Sequence, residues 1–97
     1  MRLIIDPEAR EYIEEKCQDK SIRIEGQKVG RGWITYYEPS VRMGPPTDSR
    51  KFRVYESDGI KLYLAQVIVP KEDTIRIRLN KFLGKKRILV DGIRATF

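Results

Sequence analysis

The sequence predicts an α+β domain in which an N-terminal helix is followed by six or seven short strands, mainly antiparallel or mixed. Three observations carry this. Residues 6–18 place apolar side chains three and four apart, whereas after residue 20 the apolar period switches to two. Gly, Pro and Asp-Gly punctuation then recurs between short β-branched and aromatic runs. The chain has 97 residues and no repeat, linker or low-complexity tract, so a single domain spanning 1–97 is expected.

Met1 to Ile5 is short and apolar. Asp6 suits the N-cap and Pro7 the first helical position. Ala9, Tyr12, Ile13 and Cys17 make one apolar stripe through about residue 18, with Arg10, Glu11, Glu14 and Glu15 opposite. Ile22 and Ile24 alternate with Arg23 and Glu25 as a half-buried strand, and residues 26–32 read as a glycine-rich loop. Residues 33–37 and 41–43 form two further strands, and residues 44–49 a loop. Phe52 and Val54, then Ile60, Leu62 and Leu64, alternate with polar neighbours in a hairpin. A three-residue Ser57-Asp58-Gly59 loop would pair Val54 with Leu62 and Phe52 with Leu64, burying one clean face; a type I turn with a Gly59 bulge is therefore expected. Ile75, Ile77 and Leu79 make the next strand, Phe82-Leu83-Gly84 a connector, and Ile88 to Val90 the last firm strand. After the Asp91-Gly92 turn, Ile93 and Phe97 pack back.

Composition removes several function classes. With no histidine there is no imidazole base, no Ser-His or Cys-His nucleophile and no ordinary zinc site. One cysteine rules out an internal disulfide. No apolar run reaches the roughly 18 residues of a membrane span, and no charged-then-apolar leader opens the chain; a cytoplasmic protein without a membrane partner is expected. Lys and Arg number 20 against 14 Asp and Glu. Residues 1–20 hold four basic and six acidic groups, residues 21–97 sixteen and eight, so the basic excess lies after the helix. Such a lobe favours polyanions. One Asn, three Gln and two Met beside many Glu, Lys, Arg and Ile fit a heat-adapted source, which would account for part of that charge.

Several stretches resemble one family. They are Ile5-Asp6-Pro7-Glu8-Ala9-Arg10-Glu11-Tyr12-Ile13, Val41-Arg42-Met43-Gly44-Pro45-Pro46, Asp58-Gly59-Ile60-Lys61-Leu62-Tyr63, the segment from Thr74 to Gly84, and Ile88-Leu89-Val90-Asp91-Gly92-Ile93. In this order they resemble HesB-like, A-type iron–sulfur assembly proteins, nearest the small branch that carries a Cys-Cys or Cys-selenocysteine pair. The resemblance implies an iron–sulfur-biosynthesis-like β-sandwich. It also implies paired thiols ahead of a Gly-Trp step, where this chain reads Gly26-Gln27-Lys28-Val29-Gly30-Arg31-Gly32-Trp33 without sulfur. The wider family's C-terminal Cys-Gly-Cys has no counterpart in Gly92-Ile93-Arg94-Ala95-Thr96-Phe97. Iron–sulfur ligation needs several thiolates together, so no cofactor or metal ligand is assigned.

The candidate sites follow from these limits. Cys17 reads as a small buried hydrophobe. Lys28, Gly30, Arg31 and Gly32 could cradle a phosphate, although they match no phosphate-loop spacing and precede a strand. Glu11 and Glu15 read as a solvated helix face rather than an acid–base pair, and no catalytic constellation can be assembled; the chain is not expected to be an enzyme. On the expected register Lys51, Arg53, Tyr55, Lys61 and Tyr63 share one hairpin face, with Arg76 and Arg78 beside them if the strands are neighbours, as a candidate polyanion surface. The leading reading is a non-catalytic domain acting by protein or self-association. Sequence-tolerant nucleic-acid binding is the first alternative, and residual metal or cluster handling through Cys17 in an oligomer the second.

Overall fold

The structure is a computed structural model, and it describes residues 2–95. Along the chain run β1 (Arg2–Ile5), α1 (Pro7–Lys16), β2 (Ser21–Arg31), β3 (Ile34–Met43), a single 3₁₀ turn (Ser49–Lys51), β4 (Phe52–Ser57), β5 (Ile60–Ala65), β6 (Ile68–Pro70), β7 (Thr74–Phe82), β8 (Lys85–Asp91) and β9 (Ile93–Ala95). The class is the α+β one expected. β1, β6 and β9 are additional strands, each four residues or fewer and too short for a period to register. Phe97 lies outside the described residues.

Three sheets result, in the orders β1-β7-β8, β3-β2-β5-β4 and β6-β9. β1 runs parallel to β7 and β2 parallel to β5; the other pairs are antiparallel. Residues paired across a ladder share a face. Leu3, Ile5, Ile75, Ile77, Leu79, Ile88 and Val90 therefore point to one side of the first sheet. Ile22, Ile24, Ile60, Leu62 and Leu64 do so in the second. Both sets meet Ala9 and Ile13 of α1 in one core.

α1 begins at Pro7 with Asp6 at the N-cap as expected, but the Asp6 side chain makes no capping hydrogen bond. Its carboxylate instead accepts two hydrogen bonds from Arg76, at 3.0 and 3.1 Å. That charge-assisted fork raises the Arg76 pKa. The helix ends at Lys16, and Cys17 is extended and half-buried rather than a core residue.

The glycine-rich stretch 26–31 is strand, not loop. Each of its residues pairs with β3, from Gly26 opposite Pro39 to Arg31 opposite Ile34. Backbone groups alone build that ladder, so missing side chains do not prevent it. β3 is likewise continuous through Pro39, which an edge strand tolerates.

The β4–β5 hairpin takes a different register from the expected one. Ser57 pairs with Ile60, Val54 with Tyr63 and Tyr55 with Leu62, around a two-residue Asp58-Gly59 turn. Both turn residues have positive φ, 53° and 78°, the type I′ pattern whose twist suits a hairpin. β4 is an edge strand, and Val54 stays 51% exposed; the clean apolar face belongs to β5 alone. Leu83-Gly84 repeats the pattern with φ of 51° and 77°, so β8 starts at Lys85 rather than Ile88.

In the loop before β4, Asp48 accepts the Arg50 backbone N–H at 3.1 Å and its guanidinium at 3.0 and 3.2 Å. The Arg50 side chain, then its N–H, holds the Asp48 carboxyl below the ordinary carboxylate value. A depressed folded pKa stabilises above the unfolded value and is lost as pH falls through the folded one. Carboxyl NMR should show Asp48 titrating below the ordinary aspartate value, and Arg50→Ala should return it to the ordinary range.

Candidate functional site

The residues expected to form one polyanion surface are divided. On the four-stranded sheet, Lys61 and Tyr63 share the outer face with Val54 and Arg23, whereas Arg53 and Tyr55 lie on the side of Leu62 and Leu64. Arg53 donates to the Ile68 carbonyl at 3.1 Å, tying β4 to β6. Lys51 belongs to the 3₁₀ turn ahead of the strand. Arg76 and Arg78 sit on the other sheet, and each is paired, with Asp6 and Asp91. The shift from a three-residue to a two-residue turn moves alternate side chains of β4 across the sheet, which is why the expected face does not assemble.

The expected phosphate loop is also absent as a loop. Lys28 and Gly30 oppose Tyr37 and Thr35 within the β2–β3 ladder, and only Gly32 lies in the turn. Its φ of 62°, at the first of the two turn positions, fits a type II′ hairpin. Beyond Gly26, where Val67 packs against the ladder, this hairpin projects as an arm. Lys28, Gly30 and Thr35 on one face and Arg31 and Ile34 on the other are all exposed. Trp33 at its tip is 94% exposed. Only the Gly32-Trp33 dipeptide marked this in the sequence.

A second feature was not legible from sequence. A groove of about 570 Å³ lies between β3 and β8, with Tyr12, Val41, Met43, Ile88 and Val90 among its apolar lining. Arg42, Lys86 and Arg87 line it too, and no carboxylate does. These three cations make no ion pair among the described residues. Lys86 also borders a smaller hollow with Glu11 and Glu15, where Lys81 pairs with Glu8 at 3.4 Å.

No helix among the described residues is long and apolar enough to cross a membrane. Among the same residues, no group of three or more Cys, His, Asp or Glu side chains could hold a metal ion.

Comparison with known proteins places the fold. The crystal structure of Escherichia coli SufA, described as involved in biosynthesis of iron–sulfur clusters, superposes with a TM-score of 0.59. It is 17% identical and matches 94% of this chain and 80% of its own. The shared architecture is thus the HesB-like one that the motifs implied. No curated protein matches the chain in sequence. The residues present do not fit an iron–sulfur cluster, because the single thiol, Cys17, stands half-buried at a helix end. A family model described as the CC/Se motif containing family matches residues 1–93. The chain therefore belongs to the CC/Se motif containing family, while lacking the sulfur pair at the Gly-Trp step.

Proposed function

We propose that this protein is a member of its family without the paired thiols, acting by protein association through the β2–β3 arm and not by holding a cluster. The observation that supports this reading is Trp33, 94% exposed at the tip of an arm whose flanking Gly30, Arg31, Ile34 and Thr35 are exposed too. An exposed indole beside Ile34 and Arg31 is the residue chemistry of interface hot spots. The likeness to SufA supports a setting near iron–sulfur assembly, and a single thiol favours contact with other proteins there over carriage.

The test is native mass spectrometry and sedimentation of the purified chain, alone and with captured partners from its source. Association is expected, and Trp33→Lys should weaken it about tenfold or more without lowering the melting temperature. A monomer that retains no arm-dependent partner overturns the reading. So does a coloured cluster on anaerobic reconstitution with iron and sulfide.

A further inference from the structure

We infer that the open edge of β8 is a docking site for an extended acidic peptide segment, which pairs with β8 as an added strand and fills the groove toward β3. The inference rests on the reading of the chain as an association module and names the chemistry of one partner.

The argument starts from hydrogen-bond parity. Phe82 and Lys85 flank a two-residue turn, so they exchange backbone hydrogen bonds, as do alternate pairs beyond them. Arg87, Leu89 and Asp91 of β8 thus bond to β7. The N–H and C=O groups of Lys86, Ile88 and Val90 turn the other way, toward the groove that these residues line. None makes a backbone bond to another element among the described residues.

The facing edge of β3 is guarded. By the same parity Pro39, Val41 and Met43 turn outward, and the Gly44 N–H bond to the Ser21 carbonyl at 2.9 Å agrees with that phase. Pro39 has no N–H, and the Met43 carbonyl already accepts from Arg23 at 2.8 Å. Proline is one way in which proteins close a sheet edge, and a carbonyl that already accepts a bond offers less to an added strand. β8 carries neither; its guards are charges, Lys85, Lys86 and Arg87, which repel a second basic strand and leave the edge to an acidic peptide.

The side chains then specify the peptide. Lys86, Ile88 and Val90 share the core-facing side with Leu79 and Ile77, and Tyr12 and Val41 continue that apolar floor. Arg87 lies on the outer face of its sheet and Arg42 on the outer face of the other, so both stand at the rim. A strand with apolar residues inward and carboxylates outward satisfies both. A second copy of this chain, with net charge +6, meets the same cations unfavourably.

The test is fluorescence polarisation of a labelled peptide alternating Val or Ile with Glu, against the full chain. Binding in the micromolar range is expected, weakening with salt and about tenfold or more in Arg42→Glu/Arg87→Glu. N-methylating the amides that face β8 should abolish binding, whereas methylating the alternate set should spare it. This comparison needs no protein variant. A Lys-for-Glu peptide binding equally, indifference to N-methylation, no binding at about 100 μM, or capture of this edge by single-stranded RNA or by a second copy would each overturn the inference. If the peptide fails while Trp33-dependent association persists, only this site falls; if both fail, the association reading falls with it.

Discussion

Gly92→Ala is expected to lower stability by about 3–5 kcal/mol, the sum of left-handed strain and overpacking. Gly92 joins β8 to β9 with φ of 88°, a conformation that L side chains rarely adopt. A Cβ built there would overlap the Thr74 carbonyl oxygen, a backbone atom at the start of the central strand of the first sheet. The Gly92 carbonyl also accepts the Lys71 N–H at 2.7 Å, so the backbone cannot rotate away without breaking that bond. For a domain of this size the loss corresponds to a fall in melting temperature of roughly 15–30 °C. Gly59→Ala is the control: its φ is 78°, yet nothing lies within 4 Å of the added methyl. It should cost only the strain, about 1–2 kcal/mol. Equal losses at the two glycines in thermal unfolding would show that the close approach to Thr74 does not hold.

Leu62→Ala should cost about 2–5 kcal/mol, as for a leucine whose cavity cannot collapse. Leu62 is fully buried, between Ile22 on one neighbouring strand and Tyr55 on the other. Val54→Ala, by contrast, should change stability by about 0.5 kcal/mol or less, because half of that side chain is in water. The pair reads the hairpin register directly. If Val54 paired with Leu62, as matching apolar faces would have it, both substitutions would open the same cavity. Urea denaturation of the two variants decides between the registers, and comparable losses would reject the two-residue turn.

That register shows where sequence reasoning reached and where it stopped. The helix and the strands β5 and β7 were legible because burial on one face imposes a strict period on Ala9 and Ile13, on Ile60, Leu62 and Leu64, and on Ile75 and Ile77. The family motifs were legible as well, and the fold match agrees with them. β4 obeys no such rule: as an edge strand it leaves Val54 in solvent, and the turn chemistry of Asp58-Gly59 sets its pairing instead. The arm was hidden for a related reason, since its ladder uses backbone groups that no side-chain pattern reports.

The candidate sites were less legible still. Asp6 and Arg76 are 70 positions apart, so nothing local shows that the aspartate side chain turns away from its helix and the arginine is already occupied. Arg42, Lys86 and Arg87 belong to the basic excess after the helix, but nothing in the sequence brings the three together. Their meaning depends on two strand edges from different sheets facing one groove.

The parallel pairing of β1 with β7 has a consequence for how the protein folds. Arg2 lies beside Thr74 and Ile5 beside Ile77, so β1 has no ladder partner until a segment far along the chain is in place. Until β7 docks, Leu3, Ile4 and Ile5 have no sheet to join and the first sheet cannot close. Such long-range closure places folding toward the slow end for domains of this size, roughly milliseconds to seconds. In any intermediate that forms before β7 docks, those three residues are apolar surface open to association with other chains.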